Sequence, residues 1–385
     1  MISQNYILPF VIKKYILLPI HFFKEFRFQF FSTVICLKCN FLYLSAQHNR
    51  HIMKKVLKVL GYLVLLLIVI VAGLMIYAKT ALPNVGAAPE MKVQITPERV
   101  ERGKYLANAV VVCMDCHSTR DWSKFAGPVK PGTWGKGGER FDHNLGFPGT
   151  YYSRNITPAG ISRYTDGELY RVITTGVDKE GKALFPVMPY PYYARMDPED
   201  IKSIIAYIRT LQPVSNTVPA PESDFPMNFI LNTIPKKATP GQRPDPSNQL
   251  AYGKYMVNAC ACMECHTKVD KGQIIPALAF SGGREFVFPD GSVVRSANIT
   301  PDEETGIGNW NEDAFINRFK TYADSSYTPP AVEKGAFQSI MPWLMYSHMT
   351  REDLSAIYAY IRSLQPIRNS VVKFTSSNKA IAQAK

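Results

Sequence analysis

The chain has 385 residues, a formal net charge of +13 and 46% hydrophobic residues. This length suits two or three domains of ordinary size, and the composition excludes both a disordered chain and a membrane protein with many spans. The basic residues form no stripe of the kind that follows a nucleic-acid backbone, so nucleic acid is not an expected partner.

The amino-terminal part, residues 1–52, has apolar and charged residues that follow no settled helical or strand period. A conventional start follows at Met53, where a basic flank precedes the twenty uncharged residues 59–78. A run of this length can cross a bilayer as a helix, and it exceeds the apolar core of most cleaved signal peptides. The sequence therefore predicts that residues 1–52 are a non-functional upstream extension and that residues 53–80 are a retained transmembrane anchor.

The charges that flank this span predict its orientation. Lys54, Lys55 and Lys58 precede the span, whereas Lys79 alone follows it closely. This asymmetry favours a cytoplasmic start and an exported remainder. We therefore expect a single-pass protein of the bacterial cytoplasmic membrane that contacts lipid through its anchor and faces the periplasm. Residues 81–96, rich in small residues and proline, are expected to form a tether.

The first helix predicted after the tether has Thr96 as its cap and Pro97 at its first position, and it runs towards Cys113-Met114-Asp115-Cys116-His117. Two thiols at this spacing can bond the two vinyl-derived carbons of a haem while the adjacent imidazole reaches the iron. Half of a zinc site or a redox dithiol would be the alternatives. Zinc is disfavoured because no second Cys/His pair lies nearby at ligand spacing.

The same signal recurs as Cys262-Met263-Glu264-Cys265-His266, and its surroundings recur with it. An Asn-Ile-Thr-Pro turn occurs at 155–158 and again at 298–301, and both copies end in a helix that closes on Leu-Gln-Pro. A duplicated module with small loop insertions explains this agreement. Two covalent c-type haems are therefore predicted. Their attachment and proximal residues would be Cys113, Cys116 and His117 in the first module and Cys262, Cys265 and His266 in the second.

The helix signals also predict the domain boundaries. Thr165, with Glu168 at the third position, and Asn311 are expected to begin matching inner helices, and Asp197 and Thr350 to cap the last helices. Eight prolines between the modules indicate a linker, and the polar residues after Pro366 indicate a disordered end. The predicted segments are module 1 at 97–212, the linker at 213–246, module 2 at 247–366 and a polar tail at 367–385.

Each module resembles a class I cytochrome c domain, and the pair is similar to the multi-haem cytochrome c subunits of membrane-bound alcohol and gluconate dehydrogenases. The resemblance rests on the Gly-Lys-Tyr lead-in, the Cys-x-x-Cys-His signal, the Asn-Ile-Thr-Pro turn, the Met-Pro dipeptide and the closing helix. It implies a mainly α fold, with tandem class I cytochrome c domains behind one N-terminal transmembrane helix. The first and last helices of each module would cross where Gly103 and Gly253 allow close approach.

The resemblance also implies that a methionine in the loop before each last helix is the sixth iron ligand, which falls on Met188 and Met341. Two or three methionines compete in each module: Met196 in the first, and Met345 or Met349 in the second. Met188 and Met341 each precede a proline that fixes the loop, whereas Met196 and Met349 stand directly before helix caps, where core packing is expected.

Two further side chains leave alternatives open. Cys260 and Cys265 form a wider pair that could attach haem, but Cys262 preserves the match to the first module, which favours a buried thiol at Cys260. Arg140 and Arg284, each near a pair of glycines, could hold haem propionates or could be solvated turn residues.

Six-coordinate irons leave no open position for oxygen, peroxide or substrate. The chain also has no nucleophile elbow or phosphate-binding glycine loop, so no catalytic residue is assigned and an electron carrier is predicted, not an enzyme. Expected electron donors are a dehydrogenase or a quinol-oxidising complex, and expected acceptors are a terminal oxidase or a soluble cytochrome. The alternative is a dihaem peroxidase, which requires that one methionine leave its iron unligated.

Overall fold

The computed structural model describes residues 20–377 of the chain, and the side chains among them from residue 49 onward. Its first element is a long helix, α1 (Ile20–Thr80). Within the residues with described side chains, Asn49–Thr80 is long and apolar enough to cross a membrane. The helix begins well before Met53, in residues whose sequence follows no settled helical or strand period, because a helix already nucleated in an apolar span extends at little cost. Residues 1–19 and 378–385 lie outside the described part.

The residues from Met75 onward form one compact unit. Its first half is a cluster of helices with a small antiparallel sheet, in which β2 pairs with both β1 and β3. The elements of this half are, in chain order, α2 (Pro97–Tyr105), a π-helical turn (Leu106–Val110), α3 (Cys113–Cys116), β1 (Arg140–Phe141), a 3-10 turn (His143–Leu145), β2 (Gly149–Tyr152), α4 (Pro158–Ile161), α5 (Asp166–Thr175), α6 (Tyr190–Tyr193), α7 (Pro198–Arg209) and β3 (Glu222–Ser223).

The second half repeats this arrangement after a short helix, α8 (Met227–Ile230), and a 3-10 turn (Leu231–Thr233) in the linker. Its second sheet again has three strands, in which β7 pairs with both β6 and β8. The elements are α9 (Gln249–Ala259), α10 (Cys262–Cys265), β4 (Val269–Asp270), β5 (Gln273–Ile274), a 3-10 turn (Pro276–Leu278), β6 (Glu285–Val287), β7 (Val293–Arg295), α11 (Glu312–Lys320), α12 (Trp343–Tyr346), α13 (Arg351–Arg362) and β8 (Phe374–Thr375).

The helix starts predicted from the sequence are confirmed. At each start, the cap side chain accepts a hydrogen bond from a backbone N–H of the first turn, which satisfies a donor that the helix itself cannot pair. Thr165 and Glu168 form the full reciprocal capping box that the sequence indicated. The confirmed caps are Thr96, Thr165, Asp197, Asn311 and Thr350.

In each half, the first and last helices cross in direct backbone contact. A Cβ atom added at Gly103 on α2 would lie 1.8 Å from the carbonyl oxygen of Ser203 on α7. The equivalent distance from Gly253 on α9 to the carbonyl oxygen of Ala356 on α13 would be 1.9 Å. Only glycine fits at such a separation. The predicted crossings at these two glycines are confirmed.

The two halves differ in length by one residue between the crossing and the cysteines. Nine residues separate Gly103 from Cys113, but only eight separate Gly253 from Cys262. The extra residue is accommodated in the π-helical turn Leu106–Val110, whereas α9 is α-helical throughout. A π turn inserts one residue without breaking a helix. As a result, the backbone reaches the cysteines in the same conformation in both halves.

Two reciprocal hydrogen-bonded pairs join equivalent positions of the two halves. The Tyr105 hydroxyl donates to the carboxylate of Asp353, and the Tyr255 hydroxyl donates to Asp200 at 2.7 Å. Each hydroxyl also accepts a hydrogen bond from the backbone N–H of a helix cap residue. Tyr105 accepts from Thr350 at 3.1 Å, and Tyr255 accepts from Asp197 at 3.2 Å. Both carboxylates are buried. The halves are therefore held in a fixed relation by paired buried groups.

A second contact between the halves is made by the loop that precedes Met341. This loop has 20 residues (321–340), against 12 at the matching place in the first half (176–187). Its backbone exchanges hydrogen bonds of 2.8 Å with residues 123–125 of the first half, through Pro330 and Val332. The Gln338 side chain, 5% exposed, accepts from the Ala126 N–H at 2.8 Å. The longer loop of the second half is therefore hydrogen-bonded to the first half.

The chain that follows each last helix returns across its own half. Asn155 donates to the Val214 carbonyl and Asn298 to the Ile367 carbonyl, both at 2.8 Å. The chain then supplies β3 to the first sheet and β8 to the second. The linker thus begins packed against the first half. The expected disorder after Pro366 is wrong for residues 367–377, because this segment pairs with β7 instead of remaining in solvent.

The glycine crossing gives a direct test of the fold. We expect Gly103→Ala to destabilise the protein by at least about 3 kcal/mol, since the added methyl group would overlap a backbone oxygen that cannot rotate away. Lys104→Ala, at an exposed neighbour on the same helix, is the control. Thermal unfolding of the detergent-solubilised protein, followed by circular dichroism, measures the difference. Equal unfolding temperatures for the two variants would contradict the crossing.

The two tyrosine pairs should contribute unequally. Asp200 also accepts hydrogen bonds from Arg102 and Arg243, whereas Asp353 has Tyr252 as its other side-chain partner. Tyr105→Phe therefore leaves the buried Asp353 carboxylate with a single side-chain donor. We expect this change to lower the free energy of unfolding by about 2–3 kcal/mol. Tyr255→Phe should cost about 1 kcal/mol, because its carboxylate keeps two cations.

The same unfolding measurement tests this order, with Tyr358→Phe as the control. The Tyr358 hydroxyl makes a hydrogen bond of 2.8 Å to the Trp310 carbonyl within the second half, near the surface. A smaller loss for Tyr105→Phe than for Tyr255→Phe would refute the assigned roles.

Candidate haem-binding sites

Both Cys-x-x-Cys-His segments have the same uncommon backbone conformation. Each pair of cysteines spans one helical turn, and the residue before the turn is left-handed: Val112 has φ 50° and ψ 42°, and Ala261 has φ 50° and ψ 37°. A β-branched residue rarely adopts this conformation. Such strain persists where surrounding structure requires it, which is typical of functional sites. Its occurrence in both halves indicates that the motif itself requires this geometry.

The four motif cysteines stand in two pairs, and each pair lies within one helical turn, Cys113–Cys116 and Cys262–Cys265. Burial raises the pKa of Cys113 and of Cys116 to about 12. Among residues 49–377, no cluster of three or more His, Cys, Asp or Glu side chains is arranged to hold a metal ion. The donor set fits covalent attachment better than zinc binding.

The histidine of each motif is oriented by a backbone carbonyl. Nδ1 of His117 lies 2.7 Å from the Arg154 oxygen, and Nδ1 of His266 lies 2.8 Å from the Ala297 oxygen. A carbonyl can only accept, so Nδ1 carries the hydrogen and Nε2 keeps a lone pair for a metal. Although each imidazole keeps part of its surface accessible, the surrounding protein lowers its pKa and thereby favours the neutral form. Both rings are therefore suited to bind iron through Nε2.

One glycine in each half supports this arrangement. The N–H of Gly137 donates to the His117 carbonyl, and that of Gly282 to the His266 carbonyl, both at 2.8 Å. Both glycines have positive φ, and a Cβ on either would lie 2.5 Å from the residue whose carbonyl contacts the histidine ring. In the sequence these glycines stand out only as neighbours of Arg140 and Arg284. Their role depends on a backbone acceptor, which residue identity does not reveal.

Arg140 and Arg284 do not occupy equivalent places. Arg140 lies in β1 and not in a turn; it pairs with Asp142 at 2.9 Å, and its side chain is 59% exposed, so it is a solvated surface residue. Arg284 pairs with Glu264, a residue inside the second Cys-x-x-Cys-His motif. A cation therefore stands beside the second motif at Arg284 but not beside the first at Arg140.

The cation beside the first motif is Arg120, which the sequence analysis missed. Its guanidinium is 6% exposed and pairs with Asp115 of the motif at 2.9 Å and with Glu139 at 3.1 Å. It also stacks on the Trp122 ring, with 4.1 Å between the guanidinium carbon and the ring centroid. Each motif thus has an acidic residue between its cysteines that pairs with one arginine, although the arginine comes from a different position in each half.

The candidate methionines fall into two groups, one buried in the core and one partly buried in turns. Met196 and Met349 are each 1% exposed and lie in the hydrophobic core, which confirms their expected packing role. Met188 and Met341 are only partly buried and stand in matching turns. In each turn the methionine carbonyl accepts, at 2.7 Å, from the N–H of the second residue after it. Their assignment as iron ligands stays a prediction.

A tyrosine connects each methionine turn to its motif. Five residues after Met188, the Tyr193 hydroxyl donates to the Val111 carbonyl at 3.3 Å. Five residues after Met341, the Tyr346 hydroxyl donates to the Cys260 carbonyl at 3.1 Å. Both carbonyls belong to the residue two positions before a motif cysteine. The last loop and the motif are therefore tied together in the same way in both halves.

The two motifs also lie close to each other across the boundary between the halves. Burial raises the pKa of Tyr193 well above its usual range, and nearby cysteines of both motifs add to the rise. Cys265 likewise contributes to the raised pKa of Cys116. Tyr192 donates at 3.2 Å to Glu264, which lies in the motif of the other half. The structure brings together the two candidate sites that the sequence placed 149 positions apart.

Similarity to known proteins agrees with this geometry. The chain resembles cytochrome c subunits of dehydrogenase complexes. It is 28% identical over 293 residues to the cytochrome c subunit of a quinone-dependent alcohol dehydrogenase from Gluconacetobacter polyoxogenes, which covers 72% of this chain and 58% of that subunit. It is 29% identical over 300 residues to the gluconate 2-dehydrogenase cytochrome c subunit of Pantoea cypripedii, with 73% and 63% covered.

A dihaem cytochrome c-type protein of Cereibacter sphaeroides is 27% identical over 268 residues, which covers 66% of this chain and 82% of that protein. No protein-family profile matches the chain. The chain spans about six tenths of the length of the two dehydrogenase subunits. Those relatives are named as cytochrome c subunits, which agrees with the predicted electron carrier.

The position of Cys260 favours a packing role beside the second cytochrome motif. Cys260 is 9% exposed and takes the place of Val111 in the first half, which is 4% exposed. The carbonyl groups of both residues accept from the tyrosines described above. The hydrogen bond with the adjacent Cys262 thiol, together with burial, raises the pKa of Cys260. A side chain that takes the place of a buried valine is suited to core packing, which favours Cys262 over Cys260 as the attachment residue.

We therefore expect Cys260→Val to leave haem attachment at both motifs unchanged. Cys262→Ala should remove one thioether bond from the second site, because its partner thiol is Cys265 and not Cys260. Mass spectrometry of the denatured protein and of its proteolytic peptides measures the attached haem. Loss of haem from the Cys260→Val peptide, with retention in Cys262→Ala, would reverse the assignment.

Proposed function

We propose that the chain is a membrane-tethered dihaem cytochrome c that relays electrons. It would accept them from a dehydrogenase or a quinol-oxidising complex and pass them to a terminal oxidase or a soluble cytochrome. The observation that carries this proposal is the pair of Cys-x-x-Cys-His motifs with the same supporting bonds, close to each other within one compact unit. The relatives named as cytochrome c subunits of dehydrogenases favour a dehydrogenase as the donor.

Two tandem class I cytochrome c domains, with approximate bounds 97–212 and 247–366, would carry one site each. Cys113 and Cys116 would hold the first haem and Cys262 and Cys265 the second, each through two thioether bonds. A c-type haem, when bound, supplies one-electron chemistry at its iron.

His117 and His266 would be the proximal ligands, because their Nδ1 atoms are already engaged by backbone carbonyls. Met188 and Met341 would supply thioether sulfur as the second protein ligand of each iron. A His/Met ligand set raises the reduction potential relative to bis-histidine and closes the iron to exogenous ligands. The side chains of the two ligand turns would thereby favour electron transfer over peroxide chemistry.

The anchor would be residues 53–80, retained in the bacterial cytoplasmic membrane, with both haem domains facing the periplasm. The support for this is the apolar helix Asn49–Thr80 and the excess of lysine before the span over the single Lys79 after it. A tether that keeps the carrier at the membrane raises its effective concentration near membrane-bound partners. Residues 1–52 would then be dispensable.

The ligand assignment is tested by matched methionine substitutions. Met188→Leu and Met341→Leu should each abolish the charge-transfer absorption of one ferric iron–sulfur bond, so that each single variant keeps about half of the band, and should lower the potential of that haem. Met196→Leu and Met349→Leu keep core volume and should leave the band intact. Oxidised and reduced visible spectra of the purified protein, with redox titration, supply the measurement.

The carrier proposal fails for a module whose iron is high-spin in the unaltered protein and binds cyanide or peroxide readily. In that case the dihaem peroxidase takes its place for that module. Loss of the band in Met196→Leu but not in Met188→Leu would instead move the ligand to Met196 and leave electron transfer standing.

A further inference from the structure

The linker carries an exposed apolar segment, residues 225–234, with the sequence Phe-Pro-Met-Asn-Phe-Ile-Leu-Asn-Thr-Ile. It contains α8 and the 3-10 turn that follows. Phe225 is 75% exposed and Ile230 44% exposed, and the remaining apolar side chains of the segment are only partly covered. A group of exposed large apolar side chains within ten residues differs from the scattered surface apolar residues that most proteins show.

The segment lies against the end of the apolar helix. Asn232 donates from its side-chain amide to the Ala78 carbonyl at 3.1 Å. Ala78 is the last residue of the uncharged run 59–78. Lys79 follows it, and α1 ends at Thr80. If the helix spans a bilayer as proposed, its first charged residue marks the boundary between the acyl chains and the headgroups. The hydrogen bond therefore places the apolar segment at the depth of that boundary.

The charges around the segment fit a headgroup region. Lys236 and Lys237 follow it and are exposed, as is Lys79 at the end of α1. Residues 225–237 contain no acidic side chain, and the preceding Asp224 is paired with His143 at 2.7 Å. Apolar side chains flanked by lysines are typical of segments that lie in the membrane interface and draw on anionic lipids.

The segment is also fixed to the first module. It follows β3 directly, and β3 pairs with β2 through Thr150–Glu222 and Gly149–Ser223. The Asn228 N–H donates to the Asp224 carbonyl at 3.0 Å, which continues the backbone order into α8. Contact between this segment and lipid would therefore limit how the first module can rotate above the membrane.

We propose that residues 225–234 form a second membrane contact, with the apolar side chains of Phe225 and Ile230 inserted among the lipids beside the anchor. This inference rests on the proposed membrane anchor and not on the identity of the redox partners. The occupant of the apolar surface is the lipid bilayer. The consequence is that the first module is held against the membrane at two points, not one.

The test is photo-crosslinking in the full-length holoprotein. The photoreactive residue p-benzoylphenylalanine replaces Phe225 or Ile230 in protein reconstituted into vesicles of phosphatidylethanolamine and radiolabelled phosphatidylglycerol. Phe337 is the matched control, since it is 48% exposed and lies in the loop before Met341, away from the linker segment in the sequence. We expect at least tenfold more lipid adduct at positions 225 and 230 than at position 337.

Sedimentation with the vesicles and the reduced haem spectrum are recorded on the same samples. Intact spectra and sedimentation with lipid adducts no higher than at position 337 would overturn this inference and leave the proposed function unharmed. Protein that fails to sediment with vesicles would overturn both the anchor and the second contact, whereas loss of the haem spectrum alone would count against the proposed function.

Discussion

The close crossing of the first and last helices is the contact on which each half of the molecule depends. Gly103 and Gly253 allow the backbones of the two helices to come into direct contact. The segments that carry the candidate haem-binding residues adjoin these helices. The first helix leads directly into the cysteines and histidine, and the last helix follows the loop with the candidate methionine ligand. The residues proposed to hold a haem iron would thus come from segments that adjoin one close contact between two packed helices.

Around this crossing, each site is supported mainly by backbone groups. Carbonyls orient His117 and His266, glycine N–H groups hold the histidine carbonyls, and tyrosine hydroxyls tie the methionine loops to the motifs. The side chains that carry charge near the motifs differ between the halves, with Arg120 in one and Arg284 in the other. A duplicated site can therefore keep its geometry while its local electrostatics change, and a difference in potential between two otherwise similar centres is an expected result.

Local signals in the sequence predicted a large part of this structure. The helix caps, the two glycine crossings and the core methionines follow from residue type and spacing, and the structure has them where expected. Contacts between distant positions could not be predicted, because the Tyr105–Asp353 pair joins residues 248 positions apart and neither residue is unusual where it stands. The left-handed Val112 runs against its own propensity. The π turn, by contrast, could have been read from the one-residue difference between the two halves.

The reciprocal tyrosine–carboxylate pairs have a consequence for how the protein matures. Asp200 is 1% exposed, and its hydrogen bond from Tyr255 forms only after the chain has passed the linker. During synthesis from the amino terminus, the interface of the first half cannot be completed before the start of the second half has been made. Asp353 closes the reverse pair near the end of the chain. A truncation within the second half would thus leave the first module with an unfinished surface, and assembly would be a property of the whole polypeptide and not of two independent domains.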